Sequence, residues 1–124
     1  MPSSRMPAEP LFPAFIEMGL GVDLHGEDPT KAARRAVREA IGRASLPGMR
    51  ALVPRGDLAA MRVEVTVAVP RPELVDEAAV AAELPYGDVS VRAVVGGARV
   101  PNGNLFGDGD DHLICAVAVI SVGW

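Results

Sequence analysis

Leu113 to Val122 is the stretch that most constrains the fold, because it is apolar on both faces of an extended strand. Side chains alternate along a strand. Leu113, Cys115, Val117 and Val119 therefore form one row, and Ile114, Ala116, Ala118 and Ile120 form the other. A strand of this kind sits inside a sheet with a cover on each side. The chain has 124 residues, enough for one domain and no second core. Its own helices can cover one face, so the other is expected to meet a second copy.

The remaining elements fall into place around that strand. Leu11 to Met18 reads as a first strand, pairing from about Ala14 because Pro13 interrupts it. Asp28-Pro29 is a helix start, with Asp as the cap and Pro at the first helical position. Ala32, Ala33, Ala36, Val37, Ala40 and Ile41 then recur at helical spacing, and Ser45-Leu46-Pro47-Gly48 ends the helix. Residues 46–60 read as a loop. Met61 to Val69 alternates almost perfectly, with Arg62, Glu64 and Thr66 on the polar side. A second helix is expected after Pro72, through about Leu84, and a third strand from Val89 to Val95, ended by Gly96-Gly97. The expectation is an α/β two-layer sandwich of order β-α-β-α-β-β. It has one mixed four-stranded sheet, two helices on one face and the other face in an oligomer interface. Residues 1–10 read as a flexible tail and 11–124 as the domain.

Composition narrows the function. Half the residues are apolar but only 4% are aromatic, and the net charge is −4. Base stacking needs aromatic rings and phosphate binding needs a basic surface, so a nucleic-acid partner is not expected. No apolar run reaches the length that spans a bilayer, and residues 1–10 lack the apolar core of a secretory signal. The single Cys115 suits a reducing cytoplasm and reads as a small buried hydrophobe. Lys31, Arg34, Arg35, Arg38 and Arg43 crowd one short segment, either a solvated helix face or a local anion site.

The chemistry concentrates between the first strand and the first helix, in Gly19-Leu20-Gly21-Val22-Asp23-Leu24-His25-Gly26. Gly21 and Gly26 have the gap of a phosphate loop, but Glu27-Asp28 stands where Lys and Ser or Thr are needed. The dinucleotide fingerprint fails at Leu24. No nucleotide cofactor is expected. In an extended loop the side chains of Asp23 and His25 point the same way. The pair can ligate a divalent ion such as Zn²⁺ or Mn²⁺, act as a base with its orienting carboxylate, or form a capping turn. A metal site wants a third ligand. His112, or an Asp neighbouring it in Gly107-Asp108-Gly109-Asp110-Asp111-His112, is the candidate. Glu17, charged within an apolar run, is a second acid/base candidate. Gly19, Gly21 and Gly26 would let the backbone approach a ligand, and Lys31 or Arg35 would bind its anionic group.

These residues carry two resemblances. Phe15-Ile16-Glu17-Met18-Gly19-Leu20-Gly21-Val22-Asp23-Leu24-His25-Gly26, followed by Asp28-Pro29-Thr30-Lys31-Ala32-Ala33, resembles a conserved family of unknown function with the signature GxGxDxHG. The likeness extends through Ser45-Leu46-Pro47-Gly48, Met61-Arg62-Val63-Glu64-Val65 and Val69-Pro70-Arg71-Pro72-Glu73. The shorter phrase Gly-x-Gly-x-Asp-x-His is similar to the opening of methylerythritol cyclodiphosphate synthase. That similarity implies a divalent metal on Asp23 and His25 and a homotrimer with sites between subunits. This sequence has no His between His25 and His112, so the third ligand is left unassigned.

The expectation is therefore a small oligomeric enzyme, a lyase, cyclase or hydrolase acting on a polar or anionic metabolite. Asp23, His25 and Glu17 would be its working groups. A non-catalytic metabolite- or metal-binding module is the alternative, and a structural subunit with a capping loop is the third.

Overall fold

From Gly19 to Asp23 the odd positions are buried, while Ile16, Met18 and Leu20 between and before them are exposed. That is the period of a strand covered on one face. The computed structural model describes residues 10–42, 60–107 and 109–124. In it this strand, β1, spans Pro13–Asp23. It runs past the expected end at Met18, so Gly19–Asp23 is strand and not loop.

Helix α1 (Pro29–Ile41) starts where expected. Asp28 is its cap, accepting from the Lys31 amide at 3.2 Å, and Pro29 opens the first turn. Its stripe of Ala32, Ala33, Ala36, Val37 and Ala40 is fully buried. The helix lies so close on β1 that a Cβ on Gly19 would be 2.2 Å from the Ala36 carbonyl oxygen. One on Gly21 would be 2.1 Å from that of Ala32. The two glycines are a packing surface for α1, which corrects the expectation that they open space for a ligand.

Strand β2 (Arg62–Val69) alternates as expected, with all four valines buried. The second helix is shorter than expected. Pro72–Leu74 makes one 3-10 turn, Val75 is extended, and helix α2 covers only Glu77–Ala81. Asp76 is the reason: its side chain accepts from the Ala79 amide at 3.1 Å and restarts the helix there. Strand β3 (Asp88–Val95) follows.

Gly96 and Gly97 do not end the sheet. Gly97 has φ +67, and a Cβ on it would sit 2.1 Å from the Cys115 carbonyl oxygen. The chain crosses closely over the end of β2 and forms a fifth strand, β4 (Ala98–Pro101), where the expectation had four strands in all. Strand β5 (His112–Gly123) pairs with β2 through Val117 and with β4 from Cys115 to His112.

The order β1-β5-β2-β3 puts β5 inside the sheet, with β4 beside it beyond the end of β2. Only β2 and β3 are parallel. The architecture is the expected α/β sandwich, with one mixed sheet and two helices. One row of β5 (Ile114, Ala116, Ala118 and Ile120) is buried in the core with the α1 stripe. The other row lies on the open face beside Ile16, Met18 and Leu20, which are 60%, 61% and 54% exposed. Cys115 is half-buried there. Among the described residues no helix is long and apolar enough to cross a membrane. The readings made for residues 1–9, for 43–59, including Arg43 and the helix end at 45–48, and for Asp108 lie outside the described residues.

Candidate functional site

The end of β1, the start of α1, the end of β4 and the start of β5 meet at one corner of the sandwich. Asp23 is the last residue of β1 and faces the helix layer, 1% exposed. Its Oδ2 accepts from the Asp28 amide at 2.9 Å, and its Oδ1 lies 3.4 Å from Lys31 Nζ. A carboxylate buried this deep needs such hydrogen-bond partners. Asp23 therefore anchors the β1–α1 turn and the first turn of α1.

His25 is placed differently. The strand ends at Asp23, and Gly26 with φ +94 and Glu27 with φ 52 turn the chain sharply. The imidazole Nδ1 lies 2.6 Å from Asp111 Oδ2. Asp111 also accepts from the Gly26 amide at 3.3 Å and from Asn102 Nδ2 at 2.9 Å, and the same Asn102 amide donates to the Leu24 carbonyl at 3.2 Å. The His25 hydrogen bond is the main cause that holds the Asp111 carboxyl below its ordinary range. The Gly26 and His112 amides and Asn102 add to it, against the opposing effect of burial. An ionised carboxylate only accepts, so Nδ1 carries the proton and Nε2 is directed away from Asp111. The His25 side chain is 49% exposed, and its ring lies 4.8 Å from that of Phe106. Leu24 and Phe106, each about half exposed, give this corner an apolar shoulder.

Beside the His25–Asp111 pair, Arg99 Nε donates to Glu27 Oε1 at 2.5 Å. That bond is the main reason the Glu27 carboxyl is held below its usual range. His112 Nδ1 donates to the Asp110 carbonyl at 2.7 Å and lies 3.9 Å from Glu27 Oε2.

The structure thus separates what the sequence grouped. Asp23 and His25 do not share a focus: one carboxylate serves the turn and Lys31, while the imidazole faces Asp111. His112 reaches this corner through Glu27, and the loop does supply a neighbouring Asp, within the same chain. Glu17 faces the helix layer six residues before Asp23, roughly 20 Å back along the strand. It stands outside the site. Gly26 contributes its amide to Asp111. Among the described residues no three His, Cys, Asp or Glu side chains gather as a metal site. Asn102, Glu27 and Arg99 were not singled out as site residues from sequence, and Asp111 only as one of the Asp residues beside His112. The one available signal was the acidic loop just before β5.

Lys31 and Arg35 lie on the outward face of α1, which adjoins this corner at its first turn. Arg35 Nη1 donates to the Val22 carbonyl at 2.6 Å, and Glu39 Oε1 accepts from the Leu20 amide at 3.3 Å. Both backbone groups belong to β1, the outer strand of the sheet.

A crystal structure described as that of a FtsZ-like protein of unknown function from Nostoc punctiforme PCC 73102 is similar to this chain. The two share 40% sequence identity with a TM-score of 0.74, over 90% of this chain and 94% of the other. No match was found among curated proteins. The family described as conserved hypothetical protein (Lin0512_fam) matches residues 13–122, the whole sandwich from β1 to β5. The chain belongs to that family.

Proposed function

We propose that the protein is a small enzyme that moves a proton on a polar or anionic metabolite, with His25 as acid/base group and Asp111 as its orienting carboxylate. The observation that carries this reading is the 2.6 Å contact between His25 Nδ1 and Asp111, on an imidazole that is half exposed beside Phe106. A carboxylate on one ring nitrogen fixes the tautomer and stabilises the imidazolium that forms when the other nitrogen takes a proton. Lyase, cyclase and hydrolase chemistry all need such a group. Lys31 and Arg35 would attract the substrate's negative charge from the adjoining face of α1. The single cysteine and the lack of a spanning helix among the described residues suit a cytoplasmic protein. Self-association through the open apolar face, with a trimer as the favoured state, belongs to the same reading.

The metal-dependent form of the reading is less favoured, because Asp23 and His25 take different partners. Metal analysis of the untagged protein tests it. Stoichiometric Zn²⁺ or Mn²⁺ that disappears in both Asp23→Ala and His25→Ala would replace the acid/base assignment with a metal centre.

Nitrogen-15 NMR of the imidazoles tests the central claim without a substrate. His25 should carry its proton on Nδ1 near pH 7.5 and lose that preference in Asp111→Asn. A bare Nδ1 in the wild type would overturn the proposal. Once a screen of small anionic metabolites yields turnover, His25→Gln and Asp111→Asn should each lower kcat by about 10²–10⁴. Turnover that survives His25→Gln would leave a binding module as the better reading.

A further inference from the structure

The outward face of α1 carries four cations at helical spacing, Lys31, Arg34, Arg35 and Arg38. With Asp28 and Thr30 they line an open groove of about 340 Å³. Two of the four are held in place from the side. Arg34 Nε donates to Glu83 Oε2 at 2.7 Å, while Arg38 Nε and Nη2 donate to the two oxygens of Glu83 at 2.6 and 3.1 Å. The Glu83 side chain is only 11% exposed. The hydrogen bond from Arg38, followed by that from Arg34, keeps its carboxyl below the usual range against burial. Each guanidinium has five N–H groups, so both retain donors beyond those given to Glu83.

The other two cations are less fully matched. Arg35 gives Nη1 to a neutral carbonyl, that of Val22, and forms no ion pair among the described residues. Lys31 faces Asp23, whose other oxygen is already taken by the Asp28 amide. The groove lining itself holds four cations and one carboxylate, Asp28; Asp23 pairs with Lys31, Glu83 pairs with Arg34 and Arg38, and Glu39 follows Arg35 by one turn. The chain as a whole has a net charge of −4. The helix end does not supply this site, because Asp28 already caps it. Side chains build it. They are spread from Lys31 to Arg38, about 10 Å along the axis, a span wider than one acidic group can fill.

We infer that this groove is a binding site for a small molecule with two acidic groups, carboxylate or phosphate. Arg35 and Lys31 receive one group, and the remaining donors of Arg34 and Arg38, aligned by Glu83, receive the other. Arginine suits both chemistries because its planar fork matches either anion. The inference deepens the proton-transfer reading by giving the charged part of the substrate a seat. It rests on that reading only for what happens at His25.

Isothermal titration of the full chain with succinate, pyrophosphate and acetate, at fixed ionic strength, tests it. Succinate or pyrophosphate should bind saturably and at least tenfold more tightly than acetate, and which of the two binds more tightly identifies the acid. Arg35→Gln, which keeps a donor for the Val22 carbonyl, should weaken binding at least tenfold, and Lys31→Gln should weaken it severalfold. Glu83→Gln keeps an acceptor that can align the two arginines and removes the competing negative charge, so a folded variant should bind the diacid more tightly than the wild type. His25→Gln should leave binding unchanged, which separates failure of the groove from failure of the proton-transfer pair. Equal affinity for acetate and both diacids would overturn the inference, as would binding indifferent to both Arg35→Gln and Lys31→Gln.

Discussion

Replacing Gly21 with Ala tests the packing on which the whole corner depends. The new methyl would lie 2.1 Å from the Ala32 carbonyl oxygen, 2.3 Å from the Ala36 nitrogen and 2.8 Å from the Arg35 carbonyl carbon. Ordinary contact begins at 3.4 Å, so α1 would have to move out by about 1.3 Å. All three obstructing atoms are helix backbone, which cannot rotate away as a side chain would. Overpacking of this kind costs about 1–3 kcal/mol, and the rigid obstruction places Gly21→Ala at the upper end. Removing a glycine from a strand returns about 0.5–1 kcal/mol. The net loss should be about 2 kcal/mol. For a chain of this length that corresponds to a fall in Tm of about 8 °C. Urea denaturation followed by circular dichroism, with a thermal scan, measures both. Gly103→Ala is the control: no atom lies within 4 Å of its Cβ position and only its φ of +70 opposes the methyl. It should cost about 1 kcal/mol. A Gly21→Ala protein within about 0.5 kcal/mol of the wild type would refute the close-approach argument.

Asp23→Ala should cost about 2–3 kcal/mol in urea, because it leaves the Asp28 amide without its acceptor and Lys31 without its partner. Asp23→Asn, which keeps one acceptor, should fall between Asp23→Ala and the wild type. Acid should destabilise the fold through Asp111, Glu27 and Glu83, whose carboxyls are all held below their ordinary values of 3.8, 4.5 and 4.5. The folded state then binds fewer protons, so this stabilisation is full above about pH 4.5 and is lost as pH falls through the lowered values. The double variant Glu83→Gln, Asp111→Asn should therefore show a shallower loss of stability from pH 5 to pH 3 than the wild type; parallel curves would count against the contacts of those two carboxyls. On the open face, Met18→Lys should leave stability within about 0.5 kcal/mol yet shift the sedimenting species toward monomer. A wild type that already sediments as a monomer would remove the interface.

Most of the frame was legible because local and global signals agree there. The two apolar rows of β5 required an interior strand, and Asp28-Pro29 fixed the start of α1. The glycines were misread for a physical reason. Gly19 and Gly21 are compatible with a ligand loop and equally with a strand pressed under a helix. Only the position of Ala32 and Ala36 decides between them. Asp76 was passed over because its capping role depends on Val75 leaving the helical region. At the candidate site, the sequence singles out His25 but offers as its carboxylate partner the neighbour two positions away. The partner is 86 residues distant. Loop composition showed that an Asp near His112 could reach His25. It could not show which one, since that follows from the β4–β5 pairing that also presents Asn102.

The grip of α1 on the rim of the sheet bears on how copies of this chain can assemble. An outer strand normally offers its amides and carbonyls to any passing strand. Here Glu39 occupies the Leu20 amide and Arg35 the Val22 carbonyl. Lengthening the sheet at that point by a neighbour's strand would require both side chains to let go first. Stacking two sheets through their uncovered sides requires neither. In the proposed self-association, the helix would thereby steer copies away from open-ended ribbons at that edge and toward contact through the uncovered face.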